Sequence, residues 1–226
     1  ISPEITMTSR GSATALSESP KDENVLYVGT DDGAFWVTKD GAKTWTPLIT
    51  KPKELKKRLY FISEDSPVTN GINVIPVANS ASSLDMLLPG PRWVSYIETS
   101  RFETGRAYVT FDGHRSNDDQ PYLFVTEDFG KNWRSIRANL PTAAGTSRVI
   151  REDLVNANVL YLGCEFSAWV SIDRGNSWTK FNSNLPTVAV HDFALHPGSG
   201  EIIAATHGRS LWICDVTGIR QLSKER

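Results

Sequence analysis

Residues Val25 to Leu48 read VLYVGTDDGAFWVTKDGAKTWTPL and Val159 to Phe181 read VLYLGCEFSAWVSIDRGNSWTKF; a single gap aligns the two almost throughout. A third copy starts at Ala107, AYVTFDGHRSNDDQPYLFVTEDFGKNWRSI, with a longer excursion in its middle. A fourth, Ile202 to Asp215 (IIAATHGRSLWICD), keeps only the front of the pattern. Each copy runs from an apolar strand ending in a small residue, through a polar loop, to a second apolar strand, a tight acidic turn and a Trp that opens a further strand. Connectors such as Asn139-Leu140-Pro141 and Asn184-Leu185-Pro186 then lead into another strand, Val188 to His196 in the last case. A repeat of ~40 to 50 residues holding four short antiparallel strands is the blade of a propeller. The expected fold is therefore all-β: a β-propeller of four-stranded antiparallel blades, here a partial ring of about four.

The acidic turns are Thr38 to Trp45 (TKDGAKTW), Thr126 to Trp133 (TEDFGKNW) and Ser171 to Trp178 (SIDRGNSW). An Asp in such a turn accepts hydrogen bonds from the backbone amides that follow it, a Gly takes the left-handed conformation, and the Trp packs the turn onto the blade. On this reading Asp40, Trp45, Asp128, Gly130, Trp133, Asp173, Gly175 and Trp178 are structural. Ala42 stands where the other two turns have Gly, and a one-residue shift of the left-handed position onto Gly41 is expected there. These turns resemble the Asp-box, or BNR repeat, of sialidases and sortilin-type propellers.

Asp128 and Asp173 lie 173 − 128 = 45 residues apart, one blade, whereas Asp40 and Asp128 lie 128 − 40 = 88 apart, close to two. The blade segments are expected at about 12–50, 93–138, 147–181 and 188–217. Residues 53–90 are either an insertion or a degenerate blade. Insertion is favoured because Lys53 to Arg58 is a basic, helix-compatible run and Asn79 to Leu88 is rich in Ser and Ala without a strand pattern. Tyr60 to Ser63 and Ile72 to Val77, which read as strands, argue the other way.

The chain has 226 residues, 39% hydrophobic and 22% charged, enough for a core of one large or two small domains. Its net charge of −2 provides no field for nucleic acid or an anionic membrane. No apolar run approaches the ~20 residues that span a bilayer. The first ten residues lack both an initiator Met and the basic-then-apolar order of a signal peptide, so a mature or internal piece of something longer is expected. Cys164 and Cys214 are too few for a disulfide scaffold and too far apart for a zinc knuckle, and are expected as free thiols.

A wider resemblance, to secreted bacterial proteins of the glycosyl hydrolase/BNR-repeat kind and to sortilin-type and photosystem assembly-factor propellers, is carried by SATALSESPKDENVLYVGTDDG, AYVTFDGHRSNDDQPYLFVTEDFGKNW, RVIREDLVNANVLYLG and AATHGRSLWICDVTGIRQL. It covers most of the chain outside residues 53–90. The resemblance implies an extracellular or periplasmic protein, and a chain whose ring is completed by the remainder of a larger propeller or by another protein chain.

Propellers carry ligands on the face where the loops between second and third strands gather. Here those loops hold Asp31 and Asp32; Asp112, His114 and Arg115; Glu165; and His207 and Arg209. Arg115 and Arg209 suit fork-shaped recognition of a carboxylate or hydroxyls, with the acids available for proton transfer. The opposing reading has His114 and His207 satisfying nearby backbone and the acids capping their loops. Asp112, Asp118 and Asp119 form an acidic loop without the alternating oxygen ladder of a calcium site, His191-Asp192 and His196 read as strand ends, and Lys51 to Arg58 as a solvated face. No metal and no cofactor are expected.

Three functions follow. The leading one is a non-catalytic segment offering a protein- or glycan-binding or assembly surface. The second is a glycoside hydrolase of sialidase-like architecture, which requires two carboxyls ~5 to 9.5 Å apart; Arg, Tyr and Glu are present, but not in the spacing that identifies a sialidase. The third is a purely structural piece closed by a partner.

Overall fold

The structure, a computed structural model, describes residues 5–49 and 83–222; the candidate strands at 60–63 and 72–77 and the basic run at 51–58 lie outside the described residues. Four antiparallel sheets follow in chain order. The first comprises β1 (Ala13–Ser19), β2 (Asp22–Thr30), β3 (Phe35–Thr38) and β4 (Thr46–Pro47). The second comprises β5 (Trp93–Thr99), β6 (Ala107–Asp112), β7 (Tyr122–Thr126) and β8 (Arg134–Ser135). The third comprises β9 (Ser147–Glu152), β10 (Leu160–Cys164), β11 (Ala168–Ser171) and β12 (Thr179–Lys180). The fourth has three described strands, β13 (Val190–Leu195), β14 (Glu201–Thr206) and β15 (Leu211–Asp215). Short helices α1 (Leu84–Leu87) and α2 (Thr217–Leu222) flank the set.

Within each sheet the strands pair in sequence order, and the first strands stand side by side: β1 against β5, β5 against β9, β9 against β13. This is a β-propeller built as a partial ring. The first and second sheets are therefore direct neighbours, with α1 burying Leu84 into the core between them.

Alternation along each strand sends side chains to opposite faces, and in the second and third sheets both faces are covered by a neighbouring sheet. In β10, Leu160 and Leu162 join the cluster shared with the second sheet, whereas Tyr161 joins the one shared with the fourth. Three apolar clusters thus fill the three seams between successive sheets. The ends of the series show what that cover does. Ile97 and Ile150 are buried against a preceding sheet, while their counterpart Leu16 is 71% exposed. Ala168 and Val170 are buried against a following sheet, while their counterparts Leu211 and Ile213 are 68% and 66% exposed.

The acidic turns share one geometry. Thr126 Oγ1 accepts from the Gly130 amide at 2.9 Å and Asp128 Oδ1 from the Asn132 amide at 2.9 Å. Ser171 and Asp173 do the same for Gly175 and Ser177, both at 2.8 Å. In the first sheet Thr38 and Asp40 serve Ala42 and Thr44, at 3.1 and 2.9 Å. Each turn places two successive residues at positive φ, Phe129 and Gly130, Arg174 and Gly175, and Gly41 and Ala42. The expected one-residue shift is absent: Ala42 itself sits at φ +68°, held there by the same hydrogen bonds. Trp133 packs on Phe35 of the preceding sheet, with ring centroids 5.7 Å apart, and Trp178 joins the seam with the second sheet. Trp45 has no preceding sheet among the described residues and is half-buried.

Candidate functional site

The first strand of every sheet is interrupted at the same place. Register slips between Ala13 and Ala15, Val94 and Tyr96, Ser147 and Val149, and Val190 and Asp192 leave Thr14, Ser95, Arg148 and His191 as bulged residues. A bulge re-aims a side chain off the ladder, and these four line one end of the ring segment, where the loops between second and third strands begin. Two of them tie sheet to sheet: Thr14 Oγ1 donates to the Val94 carbonyl at 3.5 Å, and Ser95 Oγ to the Ser147 carbonyl at 2.8 Å.

Arg148 departs from that pattern. Its Nη1 donates to Asp112 Oδ2 at 2.7 Å and its Nε to Glu165 Oε2 at 2.9 Å, with Nη2 also on Glu165. The Asp112 carboxylate is buried, and its other oxygen accepts from the His114 amide at 2.8 Å. Beside this cluster the His191 and His207 rings lie 5.2 Å apart, both residues exposed. Partial burial, the Arg148 charge and His207 push the His191 pKa down, against the pull of Glu165 and Asp112.

The remaining loop residues make contacts apart from this cluster. Arg115 lies over the Trp93 ring at 4.5 Å and donates to Asp31 at 3.2 Å. Asp32 accepts from Thr30 Oγ1 at 2.6 Å and from the Thr8 amide at 2.7 Å; although burial opposes it, these bonds hold its pKa below the ordinary value. His114 faces Asp119 at 3.3 Å in the open. Asp118 accepts from Arg92 and from the Tyr122 hydroxyl, both at 2.8 Å. Arg209 is exposed ahead of β15 and enters none of these contacts. The structure thus brings Asp112 and Glu165 together on Arg148 and sets His207 against His191, ties His114 to Asp112 through its backbone amide only, places Arg115 with Asp31 one sheet away, and leaves Asp32 and Arg209 outside the cluster. Among the described residues no group of three or more His, Cys, Asp or Glu could hold a metal ion.

Sequence reasoning passed over Arg148, and it took His191 for a strand end. A second cluster went unnoticed deeper between the first strands. Arg151 donates to Glu98 at 3.2 Å, to Asp192 at 3.2 Å and to the Phe193 carbonyl at 2.9 Å, and lies over the Tyr96 ring at 4.7 Å. It thereby joins the second, third and fourth sheets. Burial pushes the Glu98 pKa up to about 7, against the opposing pull of Arg151 and the Glu152 amide.

No family model and no curated protein matches the sequence. Solved structures do match in shape. The Niastella koreensis GH74 enzyme aligns over 89% of this chain and 22% of its own length, at TM-score 0.55 and 17% identity. The YCF48 protein bound to D1 peptide aligns over 92% of this chain and 53% of its own, at TM-score 0.53 and 15% identity. An auxiliary nutrient binding protein from Bacteroides thetaiotaomicron aligns over 90% of this chain and 38% of its own, at TM-score 0.53 and 16% identity. At such identities the likeness shows the fold, a β-propeller, and this chain spans between about a fifth and about half of those proteins. No helix among the described residues is long and apolar enough to cross a membrane.

Proposed function

We propose that the bulge-lined end of the ring segment is a non-catalytic binding surface for a polar ligand, a glycan or a peptide. The observation that carries this reading is the clamp on Arg148. The loop acids Asp112 and Glu165, from neighbouring sheets, share one guanidinium, and Asp112 is buried. Both carboxylates are thus engaged by Arg148, whereas the exposed rings of His191 and His207 beside them, and Arg115 on Trp93 one sheet away, suit recognition of a polar ligand. The peptide named with YCF48 and the nutrient-binding description of the Bacteroides protein support a propeller face used for binding. The GH74 likeness supports the second reading, a glycoside hydrolase.

The same reading takes the turns as Asp-box turns of a secreted or periplasmic protein of sortilin-like kind. It takes residues 53–90 as an insertion between adjacent blades, since β1 lies directly on β5. The exposed apolar faces at Leu16 and at Leu211 and Ile213 support a larger propeller around this segment.

The test is a screen of oligosaccharides and carboxylate-terminated peptides for binding, run beside hydrolysis of chromogenic glycosides. Binding without turnover, weakened by His207→Ala and Arg115→Ala with the fold intact, supports the proposal. Turnover abolished by Asp112→Asn or Glu165→Gln would replace it with the hydrolase.

A further inference from the structure

Trp178 shows how a seam between two sheets is sealed from outside. Its Nε1 donates to the Ile136 carbonyl at 2.7 Å. Its own peptide groups are gripped by one side chain: the Trp178 amide donates to Asn139 Oδ1 at 2.7 Å, and Asn139 Nδ2 donates to the Trp178 carbonyl at 3.0 Å. The apolar cluster around it includes Leu123, Ile136 and Leu140 on the second sheet's side and Leu160, Leu162 and Trp169 on the third's.

Moving each of those six positions one sheet onward gives Ala168, Phe181 and Leu185, and Ile202, Ala204 and Trp212. The strand registers and a repeated backbone bond fix the correspondence: the Ile136 amide donates to the Leu123 carbonyl at 3.1 Å, and the Phe181 amide to the Ala168 carbonyl at 2.8 Å. All six line one open pocket of about 100 Å³. Asn184 also lines it, six residues beyond Trp178 (184 − 178) as Asn139 is six beyond Trp133 (139 − 133). Among the described residues the Asn184 amide makes no hydrogen bond. The tryptophan itself is missing because the chain leaves β15 into α2, which turns away to dock on the third sheet through Arg220 and Asp153, 2.9 Å apart. For the same reason β15, alone among the third strands described, has no fourth strand beside it.

The three occupied positions define what fits. They read Trp45-Thr-Pro-Leu48, Trp133-Arg-Ser-Ile136 and Trp178-Thr-Lys-Phe181. In each, the two residues after Trp pair antiparallel with the third strand: Thr46 and Pro47 with Val37 and Trp36, Arg134 and Ser135 with Val125 and Phe124, Thr179 and Lys180 with Val170 and Trp169. The vacant partners on β15 are Ile213 and Trp212. We propose that the outer seam of the fourth sheet docks an extended segment of a partner polypeptide of the form Trp-x-x-apolar. The segment adds to β15 as a fourth strand, seats its Trp in the pocket and is gripped by Asn184, while main-chain pairing supplies affinity and the pocket supplies specificity.

Cys214 lines this pocket and is exposed, whereas Cys164 is buried, so the thiol of Cys214 reports occupancy. The probe is a fluorescent synthetic peptide with the sequence of residues 173–182, titrated into the 226-residue chain and followed by anisotropy and by the rate of maleimide modification. The expected result is saturable one-to-one binding that slows modification of Cys214. A peptide carrying Trp178→Ala and the chain variant Asn184→Ala, whose site is on an exposed connector, should each weaken it about tenfold or more. The proposal is overturned by no saturation up to ~1 mM peptide, by equal binding of the Trp178→Ala peptide, or by a Cys214 that the peptide leaves unprotected. It is equally overturned by a chain dimer in which Cys214 is already protected without peptide, since the seam then belongs to a second copy.

Discussion

Arg148 Nη1 donates to Asp112 Oδ2 at 2.7 Å, so a cation on the first strand of the third sheet neutralises a buried acid at the end of the second sheet's second strand. Removing one partner of a buried pair strands the other charge. Arg148→Ala is expected to destabilise the chain by about 3 kcal/mol or more, whereas the double replacement Arg148→Met with Asp112→Asn recovers most of that loss. Urea unfolding of the three chains checks this; a single variant as stable as the parent would show that the pair contributes nothing to folding.

Glu98 carries the pH dependence of the inner strands. Its folded pKa of about 7 lies above the unfolded value, so it favours folding below the unfolded pKa and loses that contribution as pH rises through 7. Melting curves from pH 5 to pH 8 should show stability falling by an amount on the order of 1–2 kcal/mol from this group. In Glu98→Gln the same interval should be flatter. An unchanged slope in the variant would assign the titration elsewhere.

How much of this was legible in sequence depends on whether a feature is local or crosses a seam. The acidic turns are local: Thr126, Asp128 and Gly130 close one loop, so spacing alone announces the bonds. The loop acids Asp112 and Glu165 were found for the same reason, as residues of the loops that follow the second strand of a repeat. Arg148 and Arg151 were hidden because an interval of three in a regular strand points side chains to opposite faces. The bulge at Arg148 breaks that parity, and only strand register reveals a bulge. Glu98 and Asp192 meet through Arg151 across three sheets, a relationship that no single repeat contains.

Ala42 is the converse case, a local feature read incorrectly because the hydrogen bonds that the Ala42 and Thr44 amides donate to Thr38 and Asp40 override its preference for negative φ. A residue with a Cβ at φ +68° carries strain that Gly does not. Ala42→Gly should therefore stabilise the chain by about 1 kcal/mol, visible as a rise in Tm. Gly130→Ala should do the reverse, since its Cβ would meet Leu48 at 2.6 Å. A fall in Tm for Ala42→Gly would mean that the turn is not strained at that residue.

Trp178 and Trp45 occupy matching turn positions with different surroundings, and that difference fixes the last expectation. Trp178 is buried in a seam between two sheets and bonded to Ile136 and Asn139, whereas Trp45 is half-buried with no preceding sheet among the described residues. Deleting a buried aromatic removes both its transfer free energy and the contacts of the cavity it leaves, so Trp178→Ala should cost about 3–5 kcal/mol. Trp45→Ala, which leaves no closed cavity, should cost about 1–2 kcal/mol. Chemical denaturation of both variants decides the matter: equal losses would mean that the seam adds nothing to what the turn already supplies, and that sealing it is not what the tryptophan does.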